Sequence, residues 1–105
     1  MNIEKEIEEL EKRGDSIAQQ LHADDAVLPS FKMGIAPDIK FEIDNARRLL
    51  AGVDGLGPLE TEQLDRADQV ILESPRAAVK AIQNAIKFRK MPRSEYQDSF
   101  NYTHR

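Results

Sequence analysis

Apolar residues recur along this chain at helical spacing in four segments. Ile3, Ile7, Leu10, Gly14, Ile17 and Leu21 follow one another at intervals of four, three, four, three and four. That is a heptad seam, and it predicts a helix over residues 2–22 with an apolar stripe facing a core. Glu8 with Lys12 and Glu9 with Arg13 are favourable pairs four apart on the polar side. Gly14 falls on the seam, where it costs up to ~1 kcal/mol of helix propensity but lets a neighbouring backbone come close.

Periodicity then breaks. Residues 23–37 hold Asp24, Asp25, Pro29, Ser30, Gly34 and Pro37, which mark a loop. Yet Val27, Leu28, Phe31, Met33 and Ile35 lie in it, and a solvated linker does not carry five large apolar residues. Either the loop folds onto the core or it presents these side chains to a partner.

Residues 39–44 alternate strictly, as a half-buried strand would. Ile39, Ile43, Ala46, Leu50 and Val53 also fit a longer helical seam that Asp38 would cap. The longer pattern favours a helix over 38–52, stopped by Gly52 or Gly55. A third helix is expected over 59–73, with Leu64, Ala67, Val70 and Ile71 inward and Pro58 or Thr61 at its start.

Ser74-Pro75 ends that helix and starts a fourth over 75–90, with Ser as cap and Pro as first residue. Ala77, Ala78, Val79, Ala81, Ile82, Ala85, Ile86 and Phe88 fill half of its wheel. Met91-Pro92 stops it. The fold expected is all-α: a small four-helix bundle-like domain over 1–91, with an apolar loop after the first helix and an extended aromatic C-terminal tail over 92–105.

Composition agrees with helix-on-helix packing. The 105 residues hold no Cys or Trp, only four Phe and two Tyr, and a hydrophobic fraction of 40%. A core of Ile, Leu and closely packed Ala follows. Without Cys there is no disulfide, thiolate metal site or cysteine nucleophile, and a reducing, cytoplasmic setting fits. The N-terminus carries no apolar run of a signal peptide, and no stretch approaches the ~18 apolar residues that would span a bilayer.

Charge is split along the chain. Residues 1–75 carry a net −9 and residues 76–105 a net +5. On the fourth helix, Arg76, Lys80, Lys87 and Lys90 share one basic stripe with Gln83, which is expected to face water. On the first helix, Glu4, Glu8, Glu11 and Asp15 form an acidic stripe beside the seam. Either stripe is also what an ordinary solvated helix face looks like.

Catalytic chemistry finds no support. His22 and His104 are the only histidines, and His22 with Asp24 and Asp25 has the wrong spacing for one helical ligand face. Residues 52–57 lack the Lys-Ser/Thr of a phosphate loop. No catalytic residue, metal site or cofactor is expected. The expected function is a non-enzymatic protein–protein interaction or assembly component, a small accessory subunit of a larger complex or a homo-oligomer. Size and style alone also suit a viral protein. Val27, Leu28, Phe31, Met33, Tyr96, Phe100 and Tyr102 are the partner-binding candidates. The alternative is a regulator that binds nucleic acid through the basic helix, or inhibits a nucleic-acid enzyme by acidic charge mimicry. The overall acidity, pI ≈ 5.2, weighs against direct nucleic-acid binding.

Overall fold

The computed structural model describes residues 2–21, 29–52 and 54–103, with residues 29–33 and 103 as backbone only. Among these residues the chain forms five helices and no strand: α1 (Ile3–Gln20), α2 (Pro29–Ala51), α3 (Pro58–Val70), α4 (Pro75–Lys90) and α5 (Arg93–Thr103). Helices α1 to α4 pack together, α4 touching each of the other three, while α5 makes slight contact with them.

The heptad seam of α1 is the buried one beyond its first member: Ile7, Leu10, Gly14 and Leu21 are enclosed and Ile17 packs against the core, while Ile3, in the first turn, is exposed. Asn2 caps the helix, its side-chain oxygen accepting from the amide of Lys5 at 3.2 Å. On α4, Ala78, Val79, Ala81, Ile82, Ala85 and Ile86 are buried, as the wheel predicts. Ser74 caps it, accepting from the Ala77 amide at 3.2 Å, and Pro75 is its first residue.

The second helix departs from expectation. It starts at Pro29 rather than 38, so residues 29–37 are helical and not loop, and Asp38 lies inside the helix instead of capping it. Pro37 sits in the interior, where it removes one backbone hydrogen bond and costs ~3 kcal/mol. Burial offsets this. Ile35, Ile39, Ile43, Ala46, Leu49 and Leu50 are all enclosed, and each large side chain contributes ~1.5–3 kcal/mol. The apolar residues that argued against a solvated linker include Ile35, which is core. The strand alternation at 39–44 is overruled by the same burial, and its odd member Phe41 points outward. Gly52 ends the helix at φ 56°, and Gly55 turns the chain at φ 86°, backbone conformations open to glycine at little cost.

Helix α3 runs from Pro58 to Val70, three residues short of the expected end, and Gly57 rather than Thr61 stands at its N-cap. Leu59, Leu64 and Ala67 are buried, with Val70 and Ile71 packed against the core. The C-terminal tail is helical rather than extended. Its Tyr96 amide bonds the Pro92 carbonyl at 3.0 Å, so the proline that ends α4 opens α5. Val27 and Leu28 lie outside the described residues. Phe31 and Met33 belong to α2 by backbone, and their side chains lie outside the described ones.

Candidate interaction surfaces

The two charge stripes meet within the molecule. Lys90 pairs with Glu11, and the Gln83 amide donates to Asp15 at 2.9 Å. The partner numbers rise along α1 as they fall along α4, so the helices run antiparallel. Gln83 is therefore half-buried rather than turned to water. Gly14 lies beside this contact, but a Cβ there would stand 4.0 Å from the Gln83 side chain, an ordinary van der Waals distance, so the packing does not demand glycine. The remaining stripe residues Glu4, Glu8, Arg76, Lys80 and Lys87 are exposed.

Helix α5 is fastened to α3 and α4 through Tyr96. The Tyr96 ring stands edge-on to Phe88, centroids 6.3 Å apart at 80°. Its hydroxyl accepts from the Leu59 amide at 3.1 Å, one of the donors that the start of α3 leaves without a helical partner. Beside it Glu60 is buried, one carboxylate oxygen accepting from the Gly57 amide at 2.9 Å. Burial pushes the Tyr96 hydroxyl above the ordinary tyrosine value; the Leu59 amide opposes this, and the Glu60 carboxylate adds to it. Gly57 is required by the fit: a Cβ there would collide with the Tyr96 hydroxyl and the Glu60 carboxylate. Six residues on, Tyr102 is 75% exposed, while Phe100 between them is half-buried.

Two features escaped the sequence reading because they pair residues far apart in the chain. Glu42 is 4% exposed, bonded by Arg13 at 2.6 Å and by Asn45 at 3.0 Å. Next to it Phe41 stands 64% exposed over a groove lined by Arg13, Ser16, Ile17 and Asp38. On the other side of α2, Arg47 pairs with Asp65 at 3.2 Å and with Asp68, which also takes Lys40 at 3.1 Å. Burial alone would raise the Asp68 carboxyl, but hydrogen bonds and charge from Arg47 and Lys40 hold it below the usual range. Asp68 and then Asp44 raise Lys40 in return.

Among the described residues, no group of three or more His, Asp or Glu side chains could hold a metal ion, and no helix is long and apolar enough to cross a membrane. His22, Asp24, Asp25 and His104 lie outside the described residues. Comparison with protein-family models, curated proteins and solved structures finds no match.

Proposed function

We propose that this chain is a non-enzymatic interaction or assembly component, a small accessory subunit that docks on a larger protein complex through α5. The observation that carries the reading is the contrast along that helix. Tyr96 is fastened to α3 and α4, while Tyr102 is 75% exposed on a helix that touches the others only slightly. An aromatic ring offers a large area with few rotamers to freeze, which is what anchors an interface. Tyr96 sets the direction in which Phe100 and Tyr102 are offered. A cytoplasmic setting belongs to this reading, on the Cys-free sequence.

The test is recovery of partners from the native host by the intact chain and by a Phe100→Ala/Tyr102→Ala variant that keeps Tyr96. The reading expects a defined protein to bind the first and not the second, at equal melting temperature. Equal recovery by both would reject α5 as the docking element. A strictly monomeric chain with no recovered protein would reject the whole reading.

The nucleic-acid alternative rests on the exposed stripe members Arg76, Lys80 and Lys87, and charge mimicry on Glu4 and Glu8. The internal engagement of Glu11, Asp15 and Lys90 shortens both stripes. A steep loss of binding with added salt would favour this alternative, since neutralising phosphates releases counterions.

A further inference from the structure

We infer that the groove between α3 and α4 is a docking site for an acidic helical segment of a partner protein, held by Arg66 and Lys80. The groove, about 300 Å3, is lined by Gln63, Arg66, Ala77, Lys80, Ala81 and Asn84. Lys80 and Ala77 also line a second groove of about 570 Å3 on the side of α1, together with Arg76. No carboxylate lines either groove among the described residues, in a chain with 19 acidic residues.

The packing of α3 explains this local reversal of charge. Its Asp65 and Asp68 are turned to α2, where Arg47 and Lys40 take them. Arg66, the one cation of α3, is left on the α4 side. Lys90 is drawn to Glu11, but Lys80, ten residues back along α4, lies exposed with Arg66 at the groove rim. A guanidinium and an ammonium across a small groove suit carboxylates: the first as a two-pronged donor, the second as a point charge.

Three observations favour an acidic protein segment over nucleic acid. The floor is Ala77 and Ala81, whose small side chains admit another helix closely. No aromatic residue lines the groove to stack a base. The net charge of −4 opposes a long polyanion at a distance, whereas a short acidic segment meets only the local field. The site is separate from α5, so it stands or falls apart from the reading above.

The experiment is a titration of the intact, 15N-labelled protein followed by amide chemical shifts. The probes are a synthetic Ala-rich helical peptide with Glu along one face, its Glu→Gln counterpart, and a single-stranded DNA 12-mer. The Glu peptide is expected to move the signals of Gln63, Arg66, Lys80 and Asn84 and to lose its effect in high salt. The Gln peptide is expected to move none of them. Arg66→Glu/Lys80→Glu should weaken binding about tenfold or more, since each attraction becomes a repulsion. Both side chains are exposed, so the fold should persist; Arg66→Gln/Lys80→Gln serves the same comparison if it does not. Absence of shifts in the groove, shifts that survive in the charge variants, or stronger binding by the DNA would each overturn the inference.

Discussion

Gln83 and Asp15 lie 68 positions apart in the chain, and the amide of one donates to the carboxylate of the other at 2.9 Å. This contact holds α4 beside α1 next to Gly14. Gln83→Asp would put two carboxylates face to face in place of a hydrogen bond. A loss of about 1 kcal/mol is expected, lowering the melting temperature by roughly 4–8 °C. Asp15→Asn in the same chain should recover part of it. A silent Gln83→Asp would mean that the amide faces water.

Ile82 is 2% exposed at the centre of the core face of α4. Ile82→Asp should leave the domain unfolded at room temperature, because an unpaired buried charge costs several kcal/mol against a total of ~5–15. Loss of helical circular dichroism is the readout. Lys87→Asp, on the exposed side of the same helix, should keep the full helical signal.

Helix α4 was legible in the sequence because every local signal agrees: Ser and Pro open it, Met91-Pro92 closes it, and its apolar half has no polar interruption. Helix α2 was half legible. Pro37 and Gly34 read as breakers, and only the burial of Ile35 and Ile39 by other helices overrides them. The charge stripes were legible as stripes but not as partners, since antiparallel packing of α1 and α4 is a property of the tertiary fold. Glu42 gave no sign at all, since its carboxylate joins the core through a distant group, Arg13. Glu60 is bonded locally, by the Gly57 amide at 2.9 Å, and its burial comes from the packing around it.

Arg13 is half exposed while the Glu42 side chain it bonds is almost fully enclosed. Arg13→Ala should therefore leave a buried carboxylate with Asn45 as its remaining donor. The loss expected is about 2 kcal/mol, below the ~3–5 of a wholly buried pair because water reaches Arg13. Adding Glu42→Gln should restore much of it by removing the stranded charge. Urea midpoints of the two single variants and the double variant measure the coupling.

Acid stability should depend on Asp68. Its carboxyl is held below the usual range, so its contribution is complete above the unfolded value of about 4 and is lost as pH falls through the folded value. The gap in urea midpoint between the native chain and Asp68→Asn should be constant above about pH 5 and should narrow toward pH 2. Lys40 has the opposite sign: its raised value gives stability that is complete below about pH 10.4 and declines as pH rises beyond it. A gap independent of pH on the acid side would mean that Asp68 acts by packing alone.

Tyr96 and Gly57 form a latch, and the two should fail together. Tyr96→Phe keeps the ring against Phe88 but strips the Leu59 amide of its acceptor. Gly57→Ala leaves Tyr96 intact but places a methyl group where its hydroxyl and the Glu60 carboxylate sit. The backbone at Gly57 has φ −73°, which alanine adopts freely, so any cost comes from the collision. Each change should destabilise by about 1 kcal/mol and speed amide exchange in α5 while sparing the centre of α4. The double variant should cost little more than either alone, because both release the same contact. The hydroxyl itself can be followed by phenolate absorbance in a Tyr102→Phe chain, where Tyr96 is the only tyrosine. It should ionise above the ordinary value of about 10, and Gly57→Ala should bring it down toward that value. Additive losses, or a Tyr96 titration that Gly57→Ala does not move, would show that α5 is held by something other than this latch.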